Sequence, residues 1–272
     1  MLARQRQEAI LREVDRTGGV RVSELVDILG VSDMTVRRDI EVLATSGLVL
    51  KVHGGAAAVV GRSADEPGFQ VKSGMNPGAK LAIARVVAGL IAPGSSIAIS
   101  AGTTTYAVAQ ELVNIPDLTV VTNSPRVADL LHSAQREHVT VVLTGGVRTP
   151  SDALAGPVAD ATLGTLHVDT LILGVHGIDP VAGLTTPNLI EAATNRALIA
   201  SARRIIVVAD HSKWGVMGLS TFATLDQVDV LVTNAGLDAD ARRIISEQVG
   251  RLIVAQPAGF EADSKPRKVK SP

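Results

Sequence analysis

Between residues 95 and 256 the chain repeats one pattern, a short and nearly continuous apolar run followed by a stretch with helical spacing. The runs are SSIAIS (95–100), LTVVTN (118–123), VTVVLTG (139–145), TLILGVHG (170–177), RIIVVAD (204–210), VLVTN (230–234) and RLIVAQ (251–256). A strand with one wet face alternates apolar and polar residues. These runs do not, so both faces must be covered. Amphipathic stretches such as KLAIARVVAGLI and ADARRIISEQV supply the cover and the crossovers, which predicts an α/β domain with a mostly parallel sheet. A chain of 272 residues, 46% hydrophobic, has aliphatic side chains enough for this core and for a second, smaller domain.

Composition removes several function classes. Aromatic residues make up 2% of the chain, which argues against proteins that stack unpaired bases on aromatic platforms. With no cysteine, disulfides, thiolate nucleophiles and cysteine-based zinc or iron–sulfur sites are excluded. His132, His138, His167 and His211 show no metal-ligand spacing, so neither a metal nor another cofactor is expected. The first residues lack the apolar block of a signal peptide, and no apolar run approaches the ~20 residues of a membrane span. A soluble, cytoplasmic protein with no membrane partner is expected.

Four segments differ in texture. Residues 1–56 are charged and helical in spacing, with a short β-like end; 57–79 mix Gly, Pro, Ser and charges without a period and read as a linker. Residues 80–256 carry the strand–helix alternation, and 257–272 form a polar, basic tail expected to be disordered.

The first segment predicts three helices. One spans about 2–16 and stops at Gly18-Gly19. A second runs over 22–29, with Ser23 available at its start and Leu25, Ile28 and Leu29 facing inward, and Gly30 ends it. A tight corner follows, and Ser32 is placed to cap a third helix whose Val36, Ile40 and Leu43 form one apolar stripe. Short helix, glycine turn, capped helix is a helix-turn-helix pattern, and LVLKVHGGA (48–56) would supply a wing carrying Lys51 and His53. Arg37 and Arg38 lie ~100° and ~200° around the third helix from Val36, facing away from the core. Met34 and Thr35 would enter a major groove first. These residues alone leave two readings open, because Asp33 and Glu41 stand where they could hold both arginines in surface ion pairs. Net charge does not decide: residues 1–56 hold eight Lys/Arg and eight Asp/Glu.

The stretch VRVSELVDILGVSDMTVRRDIEVLATSGLVLKVHGGA resembles the winged helix-turn-helix of the DeoR family of bacterial transcriptional regulators, most closely in ELVDILGVS, MTVRRDI and HGGA. The resemblance implies operator recognition on double-stranded DNA by Met34, Thr35, Arg37 and Arg38, with Ser32, Lys51 and His53 at the same surface. It departs at Val26, where alanine is usual, and at Leu50-Lys51, where the wing commonly carries arginine. Helix-turn-helix proteins read paired half-sites, so a homodimer or higher homo-oligomer is expected.

In an open parallel sheet, ligands bind beyond the carboxyl ends of the strands. Here those ends are AGTTT, TNS, TGG and ADHSKWG. Gly102 permits close backbone approach, Thr103–Thr105 supply hydroxyls at a helix start, Asn123 and Ser124 stand at a second, and Gly145-Gly146 lie in a third loop. Lys213 is the obvious cation for a phosphate. No GxxxxGK[ST] and no dinucleotide fingerprint occur. AGTTT, VVTNS, LTGG, GVHGIDPVAGLTT, EAATNRALI and VVADHSKWG are similar to the sensor domain of the same family, which is related to ribose-5-phosphate isomerase. That resemblance implies a phosphorylated sugar or polyol effector contacting Gly102, Thr103, Thr104, Asn123, Ser124 and Lys213, with Asp179 and Glu191 facing it. Ser100, His176 and Asn195 stand where an aspartate, an Asn or Asp, and a lysine are common. The chain is expected to be a regulator, a repressor of a sugar or polyol catabolic operon. Two alternatives are a phosphosugar isomerase with Asp179 or Glu191 as base, and a regulator that senses no ligand. The missing lysine at Asn195 weighs against the isomerase.

Overall fold

The computed structural model describes residues 2–45, 48–57, 68–134 and 139–256, so the expected tail, 257–272, lies outside the described residues. The chain divides into two compact units, residues 1–75 and 76–272.

The first unit opens with α1 (Ala3–Thr17), closed by Gly18 in the left-handed conformation, and a short strand β1 (Gly19–Arg21). Helix α2 (Val22–Leu29) starts with the Arg21 N–H donating to the Glu24 carboxylate at 3.0 Å, the function expected of Ser23. It buries Val22, Leu25 and Leu29 at i, i+3 and i+7; Ile28, expected inside, lies beside that stripe and is exposed. Helix α3 (Asp33–Thr45) is capped as expected, the Thr35 N–H donating to Ser32 Oγ at 3.3 Å, and buries Val36, Ile40 and Leu43. Strands β2 (Leu50–Val52) and β3 (Gly55–Ala57) form the wing, and β1 adds to β3, giving an antiparallel sheet in the order β1-β3-β2. Gly55 is required there: a Cβ on it would sit 2.2 Å from the Val20 carbonyl oxygen of β1. The expected linker, 57–79, holds a short helix α4 (Phe69–Ser73) and the start of α5 (Pro77–Ala88), whose Pro77 has the backbone angle a first helical turn needs.

In the second unit follow β4 (Ser96–Ile99), α6 (Thr103–Leu112), β5 (Thr119–Thr122), α7 (Pro125–Ser133), β6 (Thr140–Leu143), the hairpin β7 (Val147–Arg148) and β8 (Leu154–Ala155), and α8 (Pro157–Leu163). Then come β9 (Thr170–Gly174), β10 (Gly177–Asp179), β11 (Gly183–Thr186), α9 (Leu189–Ala200), β12 (Ile205–Val208), β13 (Ser220–Ala223), β14 (Val230–Asn234), α10 (Ala239–Gln248) and β15 (Leu252–Ala255). All seven apolar runs are strands of one parallel sheet, ordered β15-β14-β12-β9-β4-β5-β6. Alternate residues serve the two covered faces. Ile97, Ile99, Ile172, Ile206 and Val208 pack with α5, α6 and α7, while Ala98, Leu171, Leu173 and Val207 pack with α8, α9 and α10. A small antiparallel sheet, β10-β11-β13, joins the second face. From β4 the chain lays strands first to one side, β5 and β6, then to the other, β9 onward. The carboxyl ends of β4 and β9 therefore flank a switch point, where a crevice opens.

Candidate functional site

On the first unit, α3 presents Met34, 80% exposed, together with Thr35, Arg37 and Arg38. Arg37 is held by Asp33, Nε to Oδ1 at 2.5 Å and Nη2 to Oδ2 at 3.3 Å. The Asp33 hydrogen bond and charge hold the guanidinium still more firmly protonated. Arg38 makes no ion pair among the described residues and lines a groove of about 490 Å³ between α1 and α3, with Ala3, Gln7, Thr35 and Val42. The two arginines, alike in sequence, thus differ in availability. Ser32 and Thr35 share a hydroxyl contact of 2.9 Å as part of the cap. On the wing, Lys51 pairs with Glu41 of α3, and His53 is exposed in the turn between β2 and β3. Asp39, last of the TVRRD stretch, points inward and binds Arg6.

On the second unit, the loops that leave the carboxyl ends of β4, β5, β6, β9 and β12 converge on one edge. Gly102 (φ 148°) caps α6, whose first N–H groups lie beyond the intrahelical ladder and favour an anion. Thr103 is half-buried, Thr104 buried, and the Thr105 hydroxyl donates to the Gly102 carbonyl at 3.0 Å, closing the loop. Asn123 is a clamp: its Oδ1 accepts the Ala101 N–H at 2.8 Å and its Nδ2 donates to the Leu154 carbonyl at 3.1 Å. Ser124 caps α7, accepting the Val127 N–H at 3.3 Å. Gly145 and Gly146 follow β6, and Gly146 admits no side chain, since a Cβ would stand 2.8 Å from the Ala155 carbonyl oxygen. Glu191, buried in the first turn of α9, accepts a 2.5 Å hydrogen bond from the Ser151 hydroxyl of the β7–β8 turn. Ser100, where an aspartate was the alternative, accepts the Gly174 N–H at 2.9 Å and ties β4 to β9 across the switch point without adding charge.

Asp179 does not join this group. Its Oδ1 accepts the Val181 and Ala182 N–H groups at 2.8 and 2.7 Å, so the carboxylate builds the turn between β10 and β11. That turn shares a cleft with Thr224, Asp226 and Glu247, which precede β14 and β15 and so mark the amino edge of the sheet. His176 lies half-buried in the β9–β10 connection, and Asn195 is half-buried in α9.

Lys213 stands in a single-turn helix (His211–Lys213) after β12, capped by Asp210, whose Oδ1 accepts the Ser212 N–H at 3.0 Å and the Ser212 hydroxyl at 2.5 Å. Asn76 Nδ2 donates to the same oxygen at 3.1 Å. Burial opposes ionisation of Asp210, yet the Lys213 ammonium, the Ser212 hydrogen bonds and the Lys80 ammonium together hold its carboxyl below the usual range. Lys80, only 5% exposed, is the residue sequence reasoning missed. The signal was present: Lys80, Ile83, Ala84 and Val87 share the i, i+3, i+4, i+7 stripe of α5, so a cation sits on the buried face. Lys213 and Lys80 thus both act on the Asp210 carboxylate, in the loop that leaves the carboxyl end of β12. Among the described residues, no group of three or more His, Cys, Asp or Glu could hold a metal ion, and no helix is long and apolar enough to cross a membrane.

A winged helix-turn-helix together with a parallel α/β unit whose loops and Lys213 gather at the carboxyl edge of its sheet defines a two-domain, DNA-binding regulator. Residues 6–60 match the DeoR-like helix-turn-helix domain, and residues 75–235 match the DeoR C terminal sensor domain. The chain belongs to the DeoR family of transcriptional regulators. It is 38% identical over 257 residues to the HTH-type transcriptional regulator GlpR of Haloferax volcanii, covering 93% of this chain and 98% of that one. It is 35% identical over 246 residues to the glycerol-3-phosphate regulon repressor of Escherichia coli, covering 89% and 95%. Among solved structures it is similar to ribose 5-phosphate isomerase A of Neisseria gonorrhoeae, with 15% identity, a TM-score of 0.37, and 52% and 54% of the two chains covered.

Proposed function

We propose that the chain represses an operon of sugar or polyol catabolism and is controlled by a phosphorylated sugar or polyol bound at the carboxyl edge of the seven-stranded sheet. The observation that carries this reading is that the α6 N-terminus, with N–H groups outside the intrahelical ladder, and the half-buried Lys213, which acts on the buried Asp210 in the loop after β12, both stand at the carboxyl edge. The phosphate would meet Lys213 and the N–H groups of Thr103 and Thr104. Gly102, Gly145 and Gly146 would shape the loops around it by their positive φ, Asn123 and Ser124 would hold those loops, and Glu191 would face the sugar hydroxyls. Asp179 has no part in it. With Asp179 turned to the other edge and Asn195 carrying no charge, binding without turnover is the better-supported role. The relative named as a glycerol-3-phosphate regulon repressor supports the reading of a repressor tied to a polyol phosphate. On DNA, Met34, Thr35, Arg37 and Arg38 would read the major groove, Ser32 would lie beside them, and Lys51 and His53 would follow a phosphate strand, with two subunits on paired half-sites. Residues 1–56 would serve this role, with 80–256 as the sensor in a cytoplasmic protein.

The test is to titrate the full chain onto labelled duplex from upstream of its own gene, then add phosphorylated sugars and polyols one at a time, repeating with Lys213→Ala. Release by one compound, lost in the variant, is the expected result. DNA binding that no compound alters would end the effector half of the reading.

A further inference from the structure

Both exposed ion pairs of the recognition surface tie a DNA-facing cation to an acid on α3. Arg37 is paired with Asp33, each side chain 57% exposed, and Lys51 is paired with Glu41, 55% and 57% exposed. Exposed pairs contribute little to folding. Helix α3 is capped by the Ser32 hydroxyl, Asp33 in its first turn stabilises it modestly through the helix dipole, and the α3 core is formed by Val36, Ile40 and Leu43. Stability accounts for little of Asp33 and for none of Glu41, yet both carboxylates stand on the surface that must approach a polyanion.

We propose that Asp33 and Glu41 are specificity-determining residues, carboxylates that hold down affinity for non-cognate DNA by neutralising Arg37 and Lys51 until a matching sequence offers better partners. This rests on the reading that α3 and the wing face DNA. Of the three cations there, only Arg38 makes no ion pair among the described residues. Non-specific binding comes from phosphates neutralised and counterions released, so each carboxylate lowers the effective number of contacts by about one. Cognate binding adds hydrogen bonds from the guanidinium to base edges, which a phosphate alone does not supply. The two acids thus act mainly against the wrong DNA. The neutral balance of residues 1–56 has the same effect.

The experiment measures binding of the full chain to a mixed-sequence duplex across a range of salt concentrations, for wild type, Asp33→Asn and Glu41→Gln. Each amide keeps the shape and removes the charge. The expected result is about three- to tenfold tighter binding at low salt and a log–log salt slope steeper by about one for each variant. Glu247→Gln is the control, since it removes the same charge from an i,i+4 pair with Arg243 on α10 of the other unit, and it should change neither quantity. Arg37→Ala and Lys51→Ala examine the underlying reading and should weaken binding. If they do while the acid variants leave the slope unchanged, the proposal is overturned and the DNA-facing surface stands. If Glu247→Gln steepens the slope equally, net charge and not position is responsible, and the proposal is likewise overturned. If neither cation variant weakens binding, the surface reading and the proposal fall together.

Discussion

Arg6 of α1 and Asp39 of α3 meet at two points inside the helix-turn-helix, Nε to Oδ2 at 2.7 Å and Nη2 to Oδ1 at 3.3 Å, with side chains 14% and 6% exposed. Gln7 donates to the same carboxylate at 3.4 Å. Asp39 follows Arg38 directly, so the group that fixes the rotation of α3 adjoins one that faces outward. A buried pair adds little net stability over apolar packing, but removing one member strands the other.

Asp39→Ala is therefore expected to destabilise the first unit by about 3 kcal/mol, for loss of the hydrogen bonds that Arg6 and Gln7 make to the buried carboxylate. Amide hydrogen exchange in α1 and α3 would then quicken about 100-fold under conditions where it reports local opening. Exchange unchanged from wild type would mean that Arg6 finds water or another acceptor at no cost.

Arg37 and Arg38 should separate on mutation. Arg38 can bond a base edge without breaking an ion pair, whereas Arg37 must first leave Asp33. Arg38→Ala is expected to weaken operator binding about tenfold or more, and Arg37→Ala by clearly less. Equal losses in fluorescence titrations would show that opening the Asp33 pair costs nothing on the operator.

The seven central strands were readable because each is a continuous apolar run covered on both faces, a signal local to the strand. Strands β1, β7, β8, β10, β11 and β13 were not, being two to four residues long, and β1 and β13 are also defined by partners far along the chain, β3 and β11. The β1–β3 pair left one trace, the second glycine of HGGA, whose need appears only when β1 crosses it. At the sensor edge, the loops and Lys213 followed from topology. Lys80 escaped because a lysine in a helix is read as solvated unless its stripe is checked. Asp179 was misplaced because its acidity was weighed and its turn, Asp-Pro-Val-Ala-Gly, was not.

Gly55→Ala tests the wing. The new methyl would meet the backbone oxygen of Val20, which cannot rotate away as a side chain could. Strand β3 must then move off β1, at about 1–3 kcal/mol, carrying Lys51 with it through the β2–β3 pairing. Lower thermal stability together with weaker DNA binding is expected. A loss of stability with DNA binding intact at low temperature would remove the wing from the interface.

Asp210 gives a pH dependence whose sign is fixed by its lowered pKa. Burial alone would raise it, but Lys213, Ser212 and Lys80 together outweigh that effect. A carboxylate depressed in the folded state contributes stability that is fully present above its unfolded value, about 3.9, and is lost as the pH falls through the lower folded value. Asp210→Asn should accordingly unfold at lower urea than wild type near neutral pH, by on the order of 1.5–3 kcal/mol for the charged hydrogen bonds lost. The two midpoints should converge as the solution is acidified through the lowered folded value, where the wild-type carboxylate is also protonated. The measurement is a set of urea curves of the full chain following Trp214, which lies next to Lys213. A gap that persists unchanged into acid would mean that Asp210 acts by its shape and hydrogen bonds, and that its charge does not hold Lys80 and Lys213 in place.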